Sequence, residues 1–104
     1  MNFGKESETV EFKESLSQLK EGLISLTAML NKSGQGTVYF GVNDDGELIG
    51  LKDVGKKTIH DISQAIGDGN LPRIIPTLLL ENKDGRYYIL VSDKGYELLY
   101  SFKW

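Results

Sequence analysis

Cysteine is absent from the 104 residues and histidine occurs once. Without thiols there are no disulfides, thiolate zinc sites or cysteine nucleophiles, and one histidine leaves no His-pair metal site. No stretch approaches the roughly 18 consecutive apolar residues of a membrane helix, and the opening MNFGKESETV lacks the apolar core of a signal peptide. The expectation is a cytoplasmic protein that does not enter the membrane. Positive charge is not in excess either: 12 Lys and Arg stand against 15 Asp and Glu, a net charge of -3. That excludes gripping a phosphate backbone by bulk charge, so any nucleic-acid face must be a local patch. Proline is scarce (2 residues), whereas glycine is not (12), and with 39% hydrophobic and 26% charged residues the chain classes with globular proteins. Its length fits one compact domain, 1–104, with a small core.

The order of elements follows from hydrophobic spacing. Val10 and Phe12 alternate with Glu11 and Lys13, which predicts a half-buried strand over Thr9–Lys13 with Glu11 and Lys13 on its outer face. Leu16, Leu19, Leu23, Leu26 and Leu30 recur at spacings of three and four, predicting an amphipathic helix over Ser15–Lys32. Ser15 with Gln18 forms a candidate capping box, and Asn31 and Gly34 end the helix. Thr37–Val42 is β-branched and aromatic, and it turns at Asn43-Asp44-Asp45-Gly46 into Glu47–Gly50, a hairpin. A second helix over Thr58–Ile66 is predicted from Ile59, Ile62 and Ile66, with Thr58 as its cap. Thr77–Glu81 and Tyr87–Val91 flank Asn82–Arg86 as a second hairpin. The order βαββαββ predicts an α+β domain: a mixed sheet of about five strands with two helices packed on it. The tail Tyr96–Trp104 is apolar and aromatic, and is expected to pack on the sheet or to continue into another strand.

Several residue sets carry potential chemistry. Glu6 and Glu11 lie five apart, on opposite faces of a regular strand, so their convergence requires Glu6 in a loop that folds back. If the first strand lies beside Val38–Val42, Glu11 approaches Asp44 or Asp45, and three carboxylates suit a hard divalent cation for phosphodiester hydrolysis. The alternative is an Asp-rich turn with a surface Glu11–Lys13 pair. Gly50-x-x-x-x-Gly55-Lys56 matches the first part of a phosphate loop, but Lys57 stands where Ser or Thr is required, and Thr58 is turned about 100° away if helical. ATP hydrolysis is thereby disfavoured. Lys56 and Lys57 beside a helix N-terminus still suit an anion. A wider set combines Lys13, Lys32, Lys52, Lys56, Lys57, Arg73 and Arg86 with Tyr87, Tyr88, Tyr96 and Tyr100, lysines for phosphates and aromatic faces for bases. Cross-strand packing competes for those tyrosines. His60 reads as a surface residue or a satisfied, partly buried one.

ESETVEFK, followed by Asn31, Gly34 and Gly36 ahead of TVYFGVNDDGELIG, resembles the signature of the Schlafen AlbA-like domain, also known as a divergent AAA domain and described as DNA-binding. The likeness runs from about Lys5 to the C-terminus and is strongest in the first fifty residues. It implies an AlbA-like fold and an N-terminal module of a transcriptional-regulator-like or helicase-annotated protein, truncated here before its last strand and fused to C-terminal domains in the full-length parent. It further implies nucleic-acid binding, DNA or RNA, with phosphates held by Lys13, Lys56 and Lys57 and by backbone donors of the Asn31, Gly34 and Gly36 loop. A second implication is a ribonuclease dependent on magnesium or manganese: in Schlafen relatives two glutamates of the E-x-x-x-x-E-F-K segment and an aspartate after the G-V strand form the metal centre. Those positions match Glu6, Glu11 and Asp44, with Asp45 adjacent. Further alternatives are an ATP-binding divergent AAA domain and a module that homodimerises through an unfinished sheet edge.

Overall fold

A computed structural model of the chain describes residues 2–52, 54–68 and 76–94. Its elements are β1 (Val10–Lys13), α1 (Leu19–Ser33), β2 (Gln35–Phe40), α2 (Lys56–Asp68), β3 (Thr77–Lys83) and β4 (Arg86–Lys94), with a 3-10 turn at Leu16–Gln18 before α1. Four strands form one sheet in the order β1-β2-β4-β3, with β1 parallel to β2 and the other pairs antiparallel. The fold is the expected α+β mixed sheet with two helices. The predicted fifth strand is reduced to single bridges, Val42 with Leu48 and Asn2 with Glu47. Positive φ at Gly41, Gly46 and Gly50 breaks its extended run, and the Gly41 carbonyl accepts from both Ile49 and Gly50.

The first helix begins later than its leucine spacing implies. Ser15 Oγ accepts from the Ser17 N–H and so caps the 3-10 turn, while Gln18 reaches the Glu14 N–H rather than that of Ser15. Only half of the expected capping box forms. At the far end Gly34 adopts φ 75 and donates to the Leu30 carbonyl, the left-handed stop that ends an α-helix.

One face of the sheet carries the core. Leu23, Leu26, Met29 and Leu30 of α1 and Ile62 and Ile66 of α2 pack on Val38, Phe40, Ile89 and Val91. Each such burial stabilises by about 1.5–3 kcal/mol relative to exposure. The approach of α1 depends on Gly22, where an added Cβ would lie 2.5 Å from Phe40 Cζ. Among the described residues the opposite face carries no helix; it holds a smaller cluster of Phe12, Val42 and Leu48 with Phe3, Val10, Tyr39 and Tyr88.

Candidate nucleic-acid interface

The register decides which way the β1 charges point. Glu11 pairs with Val38 and Lys13 with Phe40, so both lie on the helix-covered face and not on the outer face that strand alternation alone assigned. Phe12, between them, joins the opposite cluster. Glu11 and Lys13 are therefore only 26% and 19% exposed, and Lys13 Nζ stands 3.6 Å from Glu11 Oε2, which has no hydrogen-bond partner among the described residues.

Glu6 folds back, as its convergence with β1 required. Its Oε2 accepts from the Phe12 N–H at 3.3 Å, and the neighbouring Ser7 N–H donates to the Val10 carbonyl at 2.9 Å. Both interactions engage outward-facing backbone groups of an edge strand, which would otherwise be open to pairing with another chain. Asp44 is exposed in a turn organised by its neighbour: Asn43 Oδ1 accepts from the Asp45 and Glu47 N–H groups. Among the described residues no group of three or more His, Asp or Glu is gathered to hold a metal ion. Glu6, Glu11 and Asp44 thus occupy a strand edge, an ion pair and a turn rim, and no metal step is derived from them.

The six residues expected at phosphate fall into two groups. Lys13 ends β1, and its carbonyl accepts from the Gly41 and Val42 N–H groups just past β2. Gly50 and Leu51 are hydrogen-bonded beside them, to the Gly41 and Tyr87 carbonyls, and α2 begins five residues later with exposed Lys56 and Lys57. Lys13 thus stands at the carboxyl end of β1, while Lys56 and Lys57 open a helix whose sheet contacts are with β3, the strand at the opposite edge. Asn31, Gly34 and Gly36 lie at the other end, separated by the 15-residue α1, about 22 Å long at 1.5 Å per residue. The glycines there have packing reasons: Gly34 is the helix stop, and a Cβ on Gly36 would fall 2.7 Å from Met29 Cβ.

Thr58 is the third residue of α2 rather than its cap, and its Oγ1 accepts from the Gly55 N–H at 3.1 Å. The hydroxyl thus completes a capping interaction. Of the wider basic set, Arg86 donates to the Leu48 carbonyl at 2.9 Å, and Lys32 pairs with Glu8 in an exposed ion pair that salt screens. Tyr88 packs with Tyr39 and Phe3, whereas Tyr87 is exposed. Arg73, Tyr96, Tyr100 and the remainder of the apolar tail lie outside the described residues. His60 is exposed, as expected. Neither spacing nor motif marks Phe3 and Asn2; their roles arise from hydrogen bonds with the Asp45-Gly46 turn 43 residues away in sequence.

A mixed sheet with a parallel βαβ crossover at its edge and two helices packed on one face is an α+β domain of the expected AlbA-like kind. The family model described as Schlafen, AlbA_2 matches residues 6–98, and the chain belongs to that family. Among solved structures it is similar to the N-terminal domain of a RecG-related protein from Nitrosomonas europaea, determined by solution NMR. The TM-score is 0.63 at 19% sequence identity, over 89% of this chain and 67% of that one. At that identity the likeness establishes the fold. No curated protein matches the chain. No described helix is long and apolar enough to cross a membrane.

Proposed function

We propose that this domain binds nucleic acid through phosphate contacts from Lys13, Lys56 and Lys57, as one module of a transcriptional-regulator-like protein. The observation that carries this reading is the pair of exposed lysines, Lys56 and Lys57, on the first turn of α2, five residues after Leu51, while Lys13 closes the parallel strand β1. Crevices at the carboxyl ends of parallel strands are the usual ligand sites of sheets with helical crossovers. Two cations at the positive end of a helix macrodipole are locally unfavourable, and a bound phosphate relieves that conflict. Family membership supports the same assignment, and the RecG-related neighbour is named as a relative of an ATP-dependent DNA helicase.

Fluorescence anisotropy with single-stranded DNA, duplex DNA and transfer RNA, over a salt series and with and without manganese, tests the proposal. Binding is expected to weaken with salt. Replacing Lys56 and Lys57 by Ala is expected to lower the salt slope by about two, one for each lysine withdrawn from a phosphate. Failure to bind any of the three polymers at low salt refutes the reading. Manganese-dependent cleavage that disappears in Glu11→Gln assigns the domain to the ribonuclease class instead.

A further inference from the structure

On the helix-free face, the segment before β1 forms a strap with one apolar anchor. Among residues 2–6, Asn2, Gly4, Lys5 and Glu6 are exposed and Phe3 is half-buried. Its ring centroid lies 4.7 Å from that of Tyr39 and 5.0 Å from that of Tyr88, inclined at 44° and 72°. The two tyrosines are 6.3 Å apart. Phe3 therefore fills a ring-sized seat between two half-buried aromatic residues of β2 and β4. The strap is clasped to the Asp45-Gly46 turn by the Phe3 N–H on the Gly46 carbonyl at 2.7 Å and the Asn2 amide on the Asp45 carbonyl at 3.1 Å.

Cations flank this seat. Arg86 shares the face of Tyr88 by strand alternation, and Lys83 is its cross-strand partner, one row from the tyrosine. The Arg86 hydrogen bond to the Leu48 carbonyl places it against the same cluster. Glu81 stands directly across from Tyr88, so phosphate is favoured on the Arg86 side. Aromatic rings with cations beside them are the elements of a single-strand stacking platform, on which bases stack and phosphates meet positive charge.

We propose that the seat between Tyr39 and Tyr88 is a nucleobase site for single-stranded nucleic acid and that Phe3 occupies it as an internal competitor. The inference rests on the nucleic-acid reading above, and adds a second binding surface with its own selectivity. Lifting the strap exchanges Phe3 for a base and gives up the clasp hydrogen bonds to the Asp45-Gly46 turn, while Asn2 and Gly4 on either side of Phe3 are already exposed. A duplex keeps its bases stacked within the helix and engages only the lysine end.

The test measures affinity of the full chain for a short fluorescein-labelled oligo-dT and for a mixed-sequence duplex. Phe3→Ala is expected to tighten oligo-dT binding at least about fivefold, the low end of one base stacked on an aromatic ring, and to leave the duplex within about twofold. Adding Tyr39→Leu is expected to reverse that gain. Asn2→Ala loosens the clasp with the ring intact and is expected to shift oligo-dT affinity in the same direction by less. Circular dichroism melting establishes that each variant is folded. If Phe3→Ala unfolds, Asn2→Ala decides: unchanged or weaker oligo-dT affinity overturns the inference. The same result from a folded Phe3→Ala overturns it also, and the function proposal survives if duplex binding still depends on Lys56 and Lys57. Absence of binding to either polymer by the wild type and all variants overturns both.

Discussion

Gly22→Ala places a methyl group where α1 crosses β2. Alanine in a helix interior is ordinarily worth about 1 kcal/mol over glycine. Here its Cβ falls 2.5 Å from Phe40 Cζ, 2.9 Å from Phe40 Cε1 and 3.2 Å from Val38 Cγ1, against the roughly 3.5–4.0 Å of comfortable carbon contact. The Phe40 ring must retreat by about 1 Å, yet Phe40 and Val38 are fully buried within the cluster that α1 and α2 cover. Overpacking of this kind costs about 1–3 kcal/mol. Subtracting the helix gain leaves a destabilisation of about 0–2 kcal/mol, and at about 4–8 °C per kcal/mol the middle of that range lowers the melting midpoint by several degrees. Ala28→Gly, the reverse exchange at an exposed site of the same helix, isolates the propensity effect and is expected to cost about 1 kcal/mol. Thermal and urea unfolding followed by circular dichroism measures both. A Gly22→Ala midpoint at or above wild type refutes the packing account, because propensity would then outweigh the clash with Phe40.

Three further outcomes are expected. Gly46→Ala combines φ +83 with a Cβ that would overlap the Gly4 carbonyl oxygen; it is expected to unseat the strap, seen as faster tryptic cleavage after Lys5 with the sheet still folded. Thr58→Ala removes the hydroxyl that accepts from the Gly55 N–H, and a loss of about 0.5–1 kcal/mol in urea unfolding is expected, as for a typical helix cap. Burial, followed by the Glu81 carboxylate, raises the Tyr88 phenol above its ordinary value of 10.0. The folded state then holds that proton longer than the unfolded chain. Stability is fully present below pH 10 and falls as pH rises from there through the folded value. Tyr88→Phe is expected to flatten that part of the stability profile, and an unchanged alkaline slope counts against the shift.

Most of the elements were legible along the chain because their signals are local. Val10 and Phe12, the leucines of α1, Ile59, Ile62 and Ile66, and the Asp84-Gly85 turn fall into strand, helix and hairpin periods that neighbouring residues impose. The start of α1 was less legible, since Ser15, Ser17 and Gln18 compete for the same backbone donors and settle into a 3-10 turn. The arm Glu47–Gly50 has strand-like residues but glycines at both ends, and they interrupt the ladder.

The candidate sites divide differently. The lysine pair that opens α2 was evident from its position at the start of a helical period, and the order E-x-x-x-x-E-F-K followed by G-V-N-D-D-G marked the family. Sequence could not assign Glu11 and Lys13 to a face, because period two gives alternation but not its sense; the parallel pairing with Val38 and Phe40 supplied that. Nor could it separate glycines that stop or pack a helix from glycines that admit phosphate, since Gly34 is set apart by its φ of 75 at the end of α1 and Gly36 by the Met29 side chain packed against it. The seat filled by Phe3 was legible at no level of local pattern. It exists because the sheet brings Tyr39 and Tyr88 together from strands far apart in the chain, and pairings of that range are specified by packing rather than by neighbouring residues.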